Sequence, residues 1–277
     1  IREVHVVEAG RVQFHGTYGA WASRPGRAHA RRAPPVELAG PHEPLATSTE
    51  LVVLKQGRVQ YGEQVVFENL NLRIASGQHT LIEGPNGSGK STLLEMLTGD
   101  HPQAYANDLT LFGRRRGTGE TVWDIKKNVG LVSPRLHRDY RVSASVEEVL
   151  LSGLFDSIGL YTQPEPRQRD TARAWLDWLG LGVQPKDAFR ALSFGQQRMV
   201  LVARAAIKVP PLVVMDEPTS GLDDDNRRHV LELIESLCTQ HLTTVLMVTH
   251  RDDERVFWRE RIHGAHLSLG APPPVEC

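Results

Sequence analysis

"HTLIEGPNGSGKSTLLEML", residues 79–97, changes character twice within a short span. "HTLIEG" is apolar and β-forming, "GPNGSG" is made of turn residues, and "KSTLLEML" is helix-forming. Strand, glycine-rich turn and helix in that order are the context that the pattern G-x-x-x-x-G-K-[ST] requires, and residues 84–91 match it. Gly84, Gly87 and Gly89 let successive backbone N–H groups turn inward, and the start of the helix adds its positive end. The run Gly84, Pro85, Asn86, Gly87, Ser88, Gly89, Lys90, Ser91, Thr92 therefore reads as a cradle for phosphate groups. Lys90 is placed to reach the β- and γ-phosphates of a nucleotide. Ser91 is placed to set its hydroxyl on Mg²⁺, a cation that bridges phosphate oxygens.

Outward from the cradle the chain reads α/β. "LVVLKQGRVQ" and "VVFENLNLRI", just upstream, alternate like antiparallel strands. "VGLVS" (129–133), "LVVMDE" (212–217) and "TTVLMVTH" (243–250) are buried strands, and "RIHGAHLSLG" closes the domain. Ser145 and Glu148 form a capping box. Ala172, Trp175, Leu176 and Leu179 share one helical face that ends at Gly180, and Val230, Leu233, Ile234 and Leu237 share another. "GQQRMVLVARAAIKV" is helical and is stopped by Pro210 and Pro211. Strands alternating with helices predict a mostly parallel sheet covered on both faces. The strandless stretch from about 139 to 208 reads as a helical insert in that core. Residues 1–20 read as a small hairpin, and residues 22–49, with five prolines, as a linker.

Composition sets the outer limits. The chain has 277 residues, 32 Lys and Arg against 33 Asp and Glu, and a formal charge of −1. That balance gives no global attraction to nucleic acid or to an acidic membrane. The one basic cluster, Arg114-Arg115-Arg116 with Lys126 and Lys127, reads as a solvated loop. No apolar run is long enough to span a bilayer. The opening "IREVHVV" lacks the basic and apolar regions of an export signal. Two cysteines, Cys238 on a helical apolar face and the terminal Cys277, do not suggest a disulfide framework. The expected compartment is reducing and cytoplasmic.

Further site residues stand at strand ends. Asp216 closes the strand "LVVMD", where it is placed to hold the Mg²⁺ shell, and Glu217 follows, aimed at an attacking water. His250 closes another strand of the same sheet, where carboxyl ends gather around a ligand, and is expected to contact the γ-phosphate. Tyr61, upstream of the cradle, either stacks on adenine or is an ordinary strand tyrosine. The chain also carries "ALSFGQQR" (191–198), a serine and an exposed glycine at the mouth of a helix, far from the cradle in sequence.

Taken in order, the aromatic residue, the P-loop, "LSFGQ", "VVMDEP", "SGLD" and the histidine resemble the ATP-binding cassette (ABC) ATPases over about residues 50–270. The resemblance implies a P-loop NTPase core of mostly parallel sheet, an N-terminal antiparallel β subdomain and a helical insert carrying the signature motif. It implies ATP hydrolysis with Mg²⁺: Lys90, Glu217 and His250 catalytic, Ser91 and Asp216 at the metal, and the cradle residues with Tyr61 on the nucleotide. It implies that "LSFGQ" is the signature, with Ser193, Gly195 and Gln196 binding the γ-phosphate held by a second module, and that Asp223 of "SGLD" crosses the interface. The sequence departs from the family twice. Phe194 replaces the first glycine of L-S-G-G-Q, and Pro134 stands where the family has a glutamine.

"GDHPQAYANDLTLFGRRRGTGETVWDIKKNVG" (99–130) and "LHRDYRVS" (136–143) are similar to the second cassette of the ModF-like tandem proteins of molybdate transport or photorepair. In that light residues 1–20 are either the closing strands of an upstream cassette or an ordinary extension. The expected partner is a second cassette, upstream in the same polypeptide or in a homodimer. The expected role is to energise a separate membrane permease, from the cytoplasm or from the cytoplasmic face of the membrane, with molybdate as cargo. The alternative is a soluble tandem-cassette ATPase acting on a macromolecule such as nucleic acid.

Overall fold

The computed structural model describes residues 3–8, 11–17 and 49–270. The stretch read as a linker, apart from Thr49, and the terminal Cys277 lie outside the described residues. Strands β1 (Glu3–Glu8) and β2 (Arg11–Thr17) pair antiparallel as their own two-stranded sheet, the hairpin expected from the sequence. β3 (Glu50–Tyr61) and β4 (Gln64–Ala75) pair antiparallel over their whole length, with register shifts near Gly57 that bend the ribbon. β5 (Thr80–Glu83) then leads through the glycine turn into α1 (Lys90–Leu97). β6 (Asp108–Leu111) and the two-residue β7 (Arg114–Arg115) extend the antiparallel sheet, in the order β4-β3-β6-β7.

After α2 (Val122–Lys126) comes β8 (Val129–Val132), and then the helical insert begins. It comprises α3 (Pro134–Asp139), α4 (Val146–Ser152), α5 (Pro166–Leu179) and α6 (Phe194–Ala206). The Ser145–Glu148 capping box opens α4, and Gly180 closes α5 in the left-handed conformation. The chain returns to the sheet with β9 (Leu212–Asp216), α7 (Asp224–Thr239), β10 (Thr244–Thr249), α8 (Asp252–Phe257), a π-helical turn (Trp258–Ile262) and β11 (Ala265–Ser268).

The core sheet has the order β11-β5-β10-β9-β8, and every pairing in it is parallel. Its strands are apolar on both faces because both faces are covered. Leu81, Val213, Met215, Val245 and Met247 pack with Val149, Trp175, Leu201 and Ile234 of the helices on one side. Ile82, Leu212, Val214, Leu246 and Val248 pack with Leu93 and Leu97 of α1 and with Leu51 and Ile74 of the antiparallel sheet on the other. Cys238 is a free, buried thiol in the first of these clusters. One consequence of the parallel topology matters for function: the carboxyl ends of β5, β9 and β10 open onto a single rim.

Candidate active site

Gly84, Glu217 and His250 stand directly after β5, β9 and β10, so the sheet register alone brings them together. The loop that follows β5 uses left-handed glycines: Gly87 has φ +82° and Gly89, the N-cap of α1, has φ +89°. A Cβ on Gly89 would press on Val66 at 2.6 Å, so the position needs glycine for space as well as for φ. No side chain caps α1, which leaves the backbone N–H groups of its first turn for a ligand.

Lys90 is buried, and its Nζ donates to the carbonyls of Gly84 and Pro85, each at 2.8 Å. Burial pulls its pKa below the ordinary lysine value, while the charges of Glu217 and Asp216 pull it back up. Asp216 is the opposite case. Burial, and then the charge of Glu217, push its carboxyl up to about 6, against Lys90 and a hydrogen bond from the Ser91 hydroxyl. A carboxylate held this far from its preferred solvation is poised to accept a cation. Among the described residues no group of three or more His, Cys, Asp or Glu could hold a metal ion. Two oxygens, from Ser91 and Asp216, leave most of the shell to water and phosphate, which is how Mg²⁺ binds beside nucleotides. The residues present therefore fit the Mg²⁺ expected there.

Glu217 has φ +45°, an uncommon conformation for a side chain of its size. Its N–H donates to Val248 O at 3.1 Å, and its Oε1 lies 2.8 Å from Nδ1 of His250. The histidine expected on a phosphate is thus held on the glutamate, with Nδ1 as donor. Tyr61, Gly87, Lys90, Ser91 and Glu217 line one open pocket of about 350 Å³. Asn86 also lines it and, with Gly84 and Pro85, shares a second pocket with His250. Tyr61 is 53% exposed and its hydroxyl is 2.7 Å from Nε2 of His101, which fixes an available ring at the pocket's edge. Ser88 is buried with its hydroxyl unpartnered, and Thr92 lines the first pocket.

Ser193, Gly195, Gln196 and Asp223 form a separate cluster, and none of them lines either of those two pockets. Ser193 is exposed and N-caps α6: its hydroxyl accepts from Gln196 N, and the Gln196 amide oxygen accepts from Ser193 N. Gly195 corrects the sequence reading of an exposed glycine. It is buried, and a Cβ there would overlap the Asn226 side chain. Asn226 in turn donates through N and Nδ2 to Asp223, the N-cap of α7, at 2.8 and 2.7 Å. Phe194, at the position of the missing signature glycine, stacks on His137 of α3 with ring centroids 4.5 Å apart. Pro134 is the first residue of α3, capped by the Ser133 hydroxyl, a position that tolerates proline because its N–H would be unpartnered anyway.

The sequence reading passed over three residues that the structure brings to notice. His137 was an unremarked member of "LHRDY", Arg198 is a buried cation beside Phe194, and Glu254 is a buried carboxylate on α8. His137 and Glu254 depend on contacts with residues distant in the chain, Gln197 and Thr219, and no local pattern marks them. The basic cluster, expected as a solvated loop, is largely paired with carboxylates and is not solvated throughout. Arg115 pairs with Asp108, Arg116 with Glu120, Lys126 with Asp100 and Lys127 with Asp124. Arg116, moreover, is buried.

Residues 67–220 match the family described as ABC transporter. The chain is 47% identical over 233 residues to the ABC transporter ATP-binding protein ModF of Escherichia coli (strain K12), which covers 82% of this chain and 48% of that protein. It is 30% identical over 227 residues to the phosphate-import ATP-binding protein PhnC of Mycolicibacterium smegmatis, covering 80% of this chain and 85% of that one. The chain spans about half the length of the first curated relatives it matches. Among solved structures it superposes on the ATP-binding cassette MJ0796 in a dimeric post-hydrolysis state bound to ADP and Pi. The TM-score there is 0.64, at 27% identity, with 79% of this chain and 94% of that chain covered. Among the described residues no helix is long and apolar enough to cross a membrane.

Proposed function

The chain belongs to the ABC transporter family of ATPases, and we propose that within it the chain binds MgATP in the cradle, hydrolyses it as one of a head-to-tail pair of cassettes, and energises a separate membrane permease. The observation that carries the reading is the convergence of Lys90, Ser91, Asp216, Glu217 and His250 on the rim formed by β5, β9 and β10. In this reading Lys90 exchanges the Gly84 and Pro85 carbonyls for phosphate oxygens, and the N–H groups at the start of α1 hold the rest of the chain of phosphates. Ser91 and Asp216 would hold Mg²⁺, which would supply charge stabilisation at the phosphoryl oxygens. Glu217 accepts the proton of the attacking water, and His250 orients the Glu217 carboxylate.

The separate cluster at Ser193 serves the other cassette of the pair, upstream in the same polypeptide or in a second copy. Molybdate is the proposed cargo, on the likeness to ModF. A permease is favoured over nucleic acid as the energised partner because most of the basic cluster carries carboxylate partners.

Glu217→Gln tests the chemistry. It keeps the shape of the site but cannot accept the proton, so ATP binding persists and turnover falls by about 10²-fold or more. Turnover near the parent rate sinks the assignment. Co-sedimentation of the full-length protein with membranes, with and without ATP, tests the permease. A protein that stays in the supernatant under both conditions counts against it.

A further inference from the structure

Glu254, the third residue of α8, is only 1% exposed. One of its oxygens, Oε1, accepts from the hydroxyl of Thr219. The other, Oε2, accepts from the hydroxyl of Thr249 at 2.6 Å. Both threonines are buried. The Thr249 hydroxyl also accepts from the N–H of Arg251 at 3.0 Å, and Nε of Arg251 stands 3.6 Å from Oε1 of Glu254. Thr219 lies two residues after Glu217, and Thr249 immediately precedes His250. A single buried carboxylate therefore fastens together the two chain segments that carry the Glu217–His250 pair.

Two considerations show what the arrangement is for. Removing a carboxylate from water is costly, and apolar packing stabilises a core about as well, so stability alone does not call for a glutamate there. Glu217 has φ +45°, and a backbone in that region persists only when its surroundings over-determine it. The Val248 carbonyl holds the N–H of Glu217, and Glu254, through Thr219, holds the chain just beyond it.

We propose that Glu254 is a positioning residue for ATP hydrolysis: through Thr219 and Thr249 it sets the spacing between the Glu217 carboxylate and the His250 imidazole without touching the nucleotide. The inference rests on the reading of Glu217 as the base. Displacing a catalytic group by an ångström costs roughly 10²-fold in rate, so loosening the clamp should lower kcat while leaving the cradle alone.

The experiment uses the full chain with MgATP and measures kcat and KM, the Kd for ATP by calorimetry, and Tm. Thr219→Val and Thr249→Val each remove one hydroxyl and keep the shape. Each is expected to lower kcat by about 10-fold or more with an unchanged Kd for ATP. Thr219→Ser and Thr249→Ser, which keep the hydroxyl, are expected to restore most of it. Glu254→Gln, with one acceptor oxygen instead of two, should fall in the same direction. Parent kcat in both valine variants overturns the proposal, and so do serine variants as slow as the valine ones, because methyl packing would then be the cause. If Glu254→Gln does not fold, the threonine series decides alone. An active Glu217→Gln would instead remove the base reading on which the inference stands. An inactive Glu217→Gln beside normal threonine variants overturns only the clamp.

Discussion

Lys90 is held in reserve by two backbone carbonyls, both in the loop it serves. A bound nucleotide offers that ammonium anionic phosphate oxygens, a stronger electrostatic partner than neutral carbonyl oxygens. Lys90→Ala should therefore lose nucleotide affinity, read by calorimetry, and the chain should remain folded because an alanine at the start of α1 is a good helix former. Unchanged affinity for MgATP would remove Lys90 from the phosphate site. At this scale the sequence was most legible. Lys90, Ser91, Asp216 and Glu217 sit in short patterns whose residue types are forced by the chemistry. Gly195 was not legible in the same way. Its burial is decided by Asn226, on another helix, and nothing near "LSFGQ" announces that neighbour.

Helix α3 is where the chain departs from its family, and the departures meet there. Pro134 begins it, and His137, three positions on, stacks on Phe194 while its Nε2 lies 2.8 Å from the side-chain oxygen of Gln197. Pro134→Gln fits the same position, since N1 needs no particular residue, and adds a polar side chain where the family has one. A higher ATPase rate is the expected outcome. An unchanged rate in a folded variant would mean that Asp216, Glu217 and His250 organise metal and water unaided. His137 also gives the element a pH dependence. Burial, the largest influence, lowers its pKa below the ordinary 6.5, with Arg198 adding to the effect and Gln197 opposing it. The folded chain keeps it neutral, the unfolded chain protonates it, and so its contribution to stability is lost as the pH falls through 6.5. Asp216, pushed up to about 6, works the other way, so the comparison must be between variants. Tm measured from pH 7.5 downward should decline less steeply in His137→Phe than in the parent, and parallel curves would refute the assignment. The elements themselves were largely readable, because periodicity and caps are local. The contact between α3 and α6 was not, because it joins residues some sixty positions apart.

At the scale of the whole molecule the proposed site residues fall into two groups. The cradle, Asp216, Glu217 and His250 lie on one rim, while Ser193 and its neighbours are held by their own contacts on α6 and α7. A chain so divided should be a poor ATPase by itself, and its specific rate should rise with concentration, or on addition of a second cassette. A mixture of Lys90→Ala with Ser193→Asp tests this. Aspartate preserves the N-cap of α6 but places a negative charge where a phosphate would arrive. Each variant alone should be inactive, and the mixture should recover a rate, since one of its composite sites carries both lesions and the other neither. A parent rate independent of concentration in a strictly monomeric sample would overturn the divided reading. The parallel sheet that gathers the first half was foreseeable from the alternation of strands and helices, whereas the joint between α6 and α7 emerges only in three dimensions. That joint bears on timing in the paired reading proposed above. Gly195 abuts Asn226, Asn226 grips Asp223, and Phe194 covers Gly221, so α6 rests on the turn that follows Glu217. In that reading a contact made on Ser193 would bear on the turn beyond Glu217, and the two sites of a pair would keep their strokes in step rather than run as independent clocks.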